Sequence, residues 1–527
     1  MQMNVLARCL NASPVTRVLA KALICSITLI ATSCGIPPLR HPVPAPDLPD
    51  GYSQANTTLS KAWESTTENS ALVGIEEFYN DPMLTGLINQ AVVGNRELKI
   101  LEEEVQIARN EILARQGAYL PFLTAGAGAS LDRPSRFTRA GAVDSQLDIV
   151  PGQSFPSPLG DMALNIGLSW QIDVWRQLRN ARDAAAQRYF AAAERRNYFV
   201  TRLIAECAEN YYTLMALDQR LITLDKTIQL QEASYKVAVD KRDNGKGTEL
   251  AVQRFLAEVR KNQSEKLIIS QEIVKTENRI NFLVNRFPQP VERASTAFFD
   301  LTLHKLSIGV PSQLLQNRPD IRQAERELAA AGLDILVARA RFFPTVMITG
   351  NVGYEAFNPR YLFNPEAIAA NIAGSLVAPL INKKAIQADY MTANAKQLEA
   401  IYHYQRTVLN AFTEVVNRVS KVENYSSSLE IKKQQLKSLE KSIEAASQLY
   451  QNARVEYVDV LLAQRDYMDA RMILIETKKE QLSAIVNAYQ ALGGGGAGLV
   501  ANLDPPLAAH RMNVLRRLWH YWDHEQN

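Results

Sequence analysis

The sequence predicts a predominantly helical chain that also carries four strands of the kind that cross a membrane. Three observations lead there. Two stretches, Leu168 to Asn244 and Leu380 to Leu492, contain neither glycine nor proline. Four shorter segments alternate apolar and polar residues with a period of two, Leu123 to Leu131 and Ala367 to Ala378 more weakly because many of their residues are small. The chain also repeats itself, each half reading helix, strand, loop, strand, long helix, tip turn, helix. Even 60 helical residues would extend about 90 Å, more than a compact core needs. The second stretch must therefore turn, and the polar burst from Gln451 to Asp459, with β-branched Val455 and Val458, is where it is expected to do so.

The first element is an export signal. Residues 1–33 hold Arg8, Arg17 and Lys21 but no acid, and the apolar run ALICSITLIA (Ala22 to Ala31) is too short for a spanning helix. The run ends in ATSCG, which resembles a lipoprotein cleavage site at which Cys34 would be acylated; the alternative is an ordinary secretory signal with Cys34 incidental. Gly35 in place of aspartate suggests forwarding to the outer membrane. The formal charge of +3 vanishes with the signal, which argues against a nucleic-acid partner. Of the remaining cysteines, Cys34 and Cys207, the latter reads as a small buried residue on a helix. The six histidines are scattered, and no metal-ligand spacing, nucleophile motif or phosphate loop is present. No cofactor, no metal and no catalysis are expected.

Residues 34–62 are rich in proline and polar groups and read as an extended tether. The first repeat then covers 63–309, the second 310–496, and 497–527 form a C-terminal tail. Strands are expected at about 122–131, 161–173, 345–354 and 367–378. In Asp161 to Asp173, Met162, Leu164, Ile166, Leu168, Trp170 and Ile172 share one face, while Ala163, Asn165, Gly167, Ser169, Gln171 and Asp173 share the other. Strands of about ten residues suit a tilted membrane barrel. Four cannot close a barrel whose usual minimum is about eight, so a membrane reading demands several chains. A half-buried soluble sheet is the alternative.

Pro121 and Pro344 stand where a helix gives way to a strand and would end the helix and fix the backbone's exit. Aligning them, an offset of 223, pairs Leu98 with Ile321, Ala108 with Ala331 and Ile112 with Ile335. Further on, an offset of 206 pairs Ala205 with Ala411, Val252 with Val458 and Ala257 with Ala463. The loop Arg133 to Pro158 is where the first repeat's extra residues are expected. Arg318, Pro319 and Asp320 read as a helix start. Trp170, Trp175 and Tyr354 fall near strand ends and suit an interfacial aromatic belt, with packing at the junction an equal reading for Trp175.

The residues then resemble a known family. VPSQLLQNRPDIRQAERELAAAGLDILVARARFFPTVMITG (Val310 to Gly350) is similar over its whole length to the pattern of the TolC-like outer-membrane factors. NDPMLTGLINQAVVGNRELK (Asn80 to Lys99), SWQIDVWRQLRNA (Ser169 to Ala181), VLLAQRDYMDA (Val460 to Ala470) and AYQALGGG (Ala488 to Gly495) extend the likeness over roughly 63–496. The closest branch resembles the lipoproteins that serve resistance-nodulation-division (RND) pumps.

The resemblance implies a homotrimer whose chains give four strands each to a 12-stranded β-barrel, continued through the periplasm by an α-helical barrel. It implies a lipid-anchored outer-membrane channel that meets a periplasmic adaptor and an inner-membrane RND-type pump, and passively conducts drugs or other small toxic compounds. The same architecture could serve as the exit duct of type I protein secretion. A coiled-coil scaffold is disfavoured by the alternating strands. The resemblance further places a periplasmic gate at Val458 and Leu462. An aspartate is expected where Leu462 stands, and the family's turn glycine falls at Ala453. Gln253 takes an often acidic place in the first repeat, so either Glu456 and Asp459 supply the gate's charge or a more apolar constriction replaces the ion-binding ring.

Overall fold

The structure, a computed structural model, describes residues 36–52, 69–294, 298–452 and 454–496. The export signal with Cys34, the turn position Ala453 and the tail 497–527 lie outside the described residues. The described chain forms two compact units. One comprises 36–42, 108–189 and 328–401, and the other the described parts of 43–107, 190–327 and 402–496.

The first unit is built on one antiparallel sheet. Its strands are β1 (Phe122–Asp132), β2 (Leu159–Ile172), β3 (Thr345–Ala356) and β4 (Ile368–Val377), hydrogen-bonded in the order β1-β2-β3-β4. The loop 133–158 has structure of its own. It holds a short helix, Arg139–Asp144, and a two-stranded hairpin of Asp148–Val150 with Gln153–Ser154.

Seven of the described helices are longer than twelve residues: α1 (Pro82–Gly94), α2 (Arg96–Ala118), α3 (Gln177–Asp243), α4 (Glu249–Leu283), α5 (Pro319–Ala340), α6 (Lys384–Gln451) and α7 (Tyr457–Ala491). The four longest, α3, α4, α6 and α7, hold no glycine or proline. Asp81 caps α1, its carboxylate accepting from the N–H of Met83 at 2.9 Å and of Leu84 at 3.2 Å, with Pro82 where a missing donor does no harm. The two repeats match closely in length: α3 has 67 residues and α6 68, while α4 and α7 have 35 each.

That match corrects the repeat register. Superposing α4 on α7 by their ends gives an offset of 208, under which eight of the ten buried residues of α4 fall on buried residues of α7. Under the offset of 206 only five do. Val252 therefore corresponds to Val460, and the counterparts of Val458 and Leu462 are Leu250 and Arg254.

The second unit's main core gathers Phe78, Leu84, Ile88, Leu203, Tyr211, Tyr212, Met215 and Tyr489, with the rings of Phe78 and Tyr489 stacked 3.8 Å apart. Cys207 lies in it, and burial, with Glu206 nearby, pushes its thiol up to about 12, which keeps it protonated and inert.

Residues 36–52 are extended but not a free tether. In the first unit, Ile36 and Leu39 pack on Ile335, Phe342 and Tyr390, and Arg40 exchanges two hydrogen bonds with the Asn394 side chain, at 2.9 and 3.3 Å. In the second, Tyr52 is fully buried and stacks on Phe412 at 5.4 Å. Isoleucine, leucine and tyrosine spaced among the prolines supply the apolar anchors that a polar tether would lack.

Candidate functional site

Strand register decides what the sheet can do. Leu164 stands opposite Ala127 and Tyr354, Ile166 opposite Ala125 and Val352, and Leu168 opposite Leu123 and Gly350. Beyond them, Val352 faces Ala370 and Tyr354 faces Ile368. Since parity is kept across all four strands, these apolar residues share one face. The other face carries Thr124, Asn165, Ser169, Gln171, Thr349, Asn351 and Asn371. One side thus suits hydrocarbon and the other water. Both outer strands are exposed along their whole length and are paired on one side only. Free edges of ten and eleven residues demand further strands.

The junctions lie at one end of this sheet. Pro121 precedes β1 directly and Pro344 precedes β3. The indole N–H of Trp170 donates to the Tyr119 carbonyl at 3.1 Å, and that of Trp175 to the Pro344 carbonyl at 2.8 Å. Trp175 also stacks on Phe343 at 4.7 Å, so it anchors the junction by packing. Tyr354 lies toward the other end of the sheet, beside Phe363 at 6.1 Å, and Phe357 contacts Tyr361 and Phe155 there. The three predicted belt residues thus fall into two aromatic groups, one at each end of the strands.

In the second unit, two helical hairpins end in tip turns. The first closes through Gly245 at φ +71°, and Thr248 caps α4 by accepting from the Ala251 N–H at 3.3 Å. The second runs between Gln451 and Tyr457, where the Asp459 carboxylate accepts from the Glu456 N–H at 3.2 Å. Tyr457 and Leu461 pack on Ala238, Val252 and Phe255. Val458 is half-buried, while Leu462, one turn on, is 42% exposed. Packing within the chain therefore does not account for Leu462. Glu456 and Asp459 are exposed beside it.

Sequence reasoning missed two features. The Lys241 ammonium donates to the Tyr450 carbonyl at 3.1 Å and lies 3.5 Å from the centre of the Tyr450 ring, tying the ends of α3 and α6 together. Nothing local marks such a pair. Arg318, read as part of a helix start, is only 2% exposed. Its guanidinium donates to Asp320 at 2.7 and 3.0 Å, to Glu414 at 2.9 Å and to the Ala491 carbonyl at 2.8 Å. Burial opposes its charge, but the bonds and charges of Asp320 and Glu414 outweigh that and raise its pKa further above the ordinary arginine value. Arg318 and Asp320 at the start of α5 and Ala491 at the end of α7 are thus parts of one lock.

Comparisons with known proteins agree with this geometry. Residues 87–286 and 310–494 match the model of the outer membrane efflux protein family. The cation efflux system protein CusC of Escherichia coli O6:H1 is 25% identical over 473 residues, spanning 89% of this chain and 97% of the relative. The solvent efflux pump outer membrane protein SrpC of Pseudomonas putida is 26% identical over 429 residues, spanning 81% and 88%. The solved structure of the open MtrE outer membrane channel of Neisseria gonorrhoeae shares the fold, with a TM-score of 0.72 at 24% identity over 87% of this chain and 98% of that one. With its two repeats covered by that model, the chain belongs to the outer membrane efflux protein family.

Proposed function

We propose that this chain, as a lipid-anchored homotrimer, forms the outer-membrane channel of a tripartite efflux system. It passively conducts small molecules handed over by an inner-membrane pump of the RND type through a periplasmic adaptor. The sheet carries the reading: two chemically opposite faces and two unpaired edges are what a barrel segment needs. Three copies give 12 strands, β1 of one copy pairing with β4 of the next, apolar face to lipid and polar face to a water-filled lumen. The relatives named for cation and solvent efflux support the transport reading.

The docked residues 36–39 support the anchor. Ile36 packs against the cluster that holds Ile335, Phe342 and Tyr390, near the junction at Pro344, and a two-residue chain reaches at most about 7 Å, so acyl chains on Cys34 would enter the adjoining leaflet.

The gate is assigned to Val458 and Leu462, with Glu456 and Asp459 at its rim. Three copies of an exposed leucine would close the pore by apolar packing where an acidic ring is usual. Replacing both Val458 and Leu462 with serine should raise single-channel conductance in planar bilayers several-fold. Unchanged conductance would place the constriction elsewhere.

A further inference from the structure

The loop 133–158 joins β1 to β2 at the end of the sheet remote from Pro121 and Pro344. Its first seven residues carry Arg133, Arg136 and Arg139 and no acid. All three are exposed, and among the described residues none pairs with a carboxylate. Between them Phe137 is 102% exposed.

This tip is a built turn. The Thr138 N–H and hydroxyl both donate to the Ser135 carbonyl, at 2.9 and 2.7 Å, and the Thr138 hydroxyl accepts from the Gly141 N–H at 3.3 Å. Gly141 is buried so closely that a Cβ there would stand 2.2 Å from the Ser135 oxygen. Phe155 on Phe357, ring centres 5.3 Å apart, holds the loop to its neighbour between β3 and β4. The loop's own acids come later, and Asp148 is engaged by the Gly152 N–H at 3.0 Å.

If the sheet spans the bilayer as proposed above, this turn sits where hydrocarbon meets water on the outer side. A ring flanked by guanidinium groups suits that layer, the ring entering the acyl region and the forks taking phosphate oxygens. We propose that Arg133, Arg136, Phe137 and Arg139 bind the phosphates of a phosphorylated glycolipid in the outer leaflet.

The test is native mass spectrometry of the full-length protein in detergent, titrated with diphosphorylated lipid A and with its dephosphorylated form. The wild type should retain the diphosphorylated lipid selectively. Arg133→Gln, Arg136→Gln and Arg139→Gln together should weaken retention by about fivefold per charge, while Arg454→Gln on the second tip turn should not. Equal retention of both lipids, no loss in the triple variant, or displacement by inorganic phosphate alone would overturn the proposal. In phosphatidylcholine vesicles, Phe137→Cys should react more slowly with a water-soluble maleimide when the diphosphorylated lipid is added than when its dephosphorylated form is added. Equal rates with the two lipids would overturn the proposal. Conductance of the triple variant checks that the channel is intact. A channel that binds the lipid but does not conduct would sink the transport reading and leave this one standing.

Discussion

In the first repeat the Asn95 side chain donates to the Leu283 carbonyl at 3.0 Å, joining the start of α2 to the end of α4. In the second, Arg318 stands at the equivalent place and donates to the Ala491 carbonyl at 2.8 Å, joining the start of α5 to the end of α7. The helices end alike too. Asn285 at φ +59° and Gly493 at φ +97° take the left-handed position, and the next N–H reaches back, Arg286 to the Asn281 carbonyl at 2.9 Å and Gly494 to that of Tyr489 at 2.8 Å. One lock is neutral and complete with an amide. The other buries a cation, so it also needs Asp320 and Glu414, and through Glu414 it draws in α6. Duplication conserved the geometry while the chemistry diverged, and the charged copy couples three helices where the neutral one couples two.

The largest expected effect comes from breaking the charged lock. Arg318→Ala would strand Asp320, Glu414 and the Ala491 carbonyl, costing about 3–5 kcal/mol. Asn95→Ala should cost only about 1–3 kcal/mol. Thermal unfolding of the purified proteins ranks the two, and equal losses would refute the distinction.

A second contrast lies in the sheet. Gly353 corresponds to Ser130 under the offset of 223, but a Cβ at Gly353 would stand 2.0 Å from the Leu164 oxygen of the neighbouring strand. Gly353→Ser should therefore cost about 1–3 kcal/mol and lower the yield of folded protein in membranes. Ser130→Gly, on the free-edged strand, should cost about 0.5–1 kcal/mol. Comparable yields for the two variants would show that the close approach does not matter.

A third contrast is at the helix ends. Asn285→Gly should change stability by about 0.5 kcal/mol or less, since glycine accepts the same backbone. Gly493→Asn should cost about 1–3 kcal/mol, because its Cβ would meet the Asn317 carbonyl oxygen at 2.5 Å. A tolerated Gly493→Asn would show that the Asn317 backbone can move.

Much of this was legible in the residues. Strand alternation located all four strands to within two residues at each end, because side chains that alternate by two face opposite sides whatever the surroundings. Long runs without glycine or proline marked α3, α6 and α7, and the polar burst after Gln451 marked the second turn. The aromatic groups were half legible: Trp170, Trp175 and Tyr354 stood out, but Phe343, Phe357 and Phe363 gained meaning only once the strands were placed. Residues 36–52 read as tether because proline dominates their composition, while the docking of Ile36, Leu39 and Tyr52 depends on surfaces that the segment does not itself contain.

What the sequence determined alone is what local spacing controls: breaker-free helices, strand parity, and the existence of two repeats. Only the tertiary structure decided which strands keep a free edge, that α4 and α7 register at 208, that Leu462 stays exposed while Leu461 packs, and that Arg318 closes a lock. Each of these turns on groups far apart in the chain, 173 residues in the case of Arg318 and Ala491. Such pairs leave no periodic trace, since either partner taken alone is an ordinary polar group at a helix end.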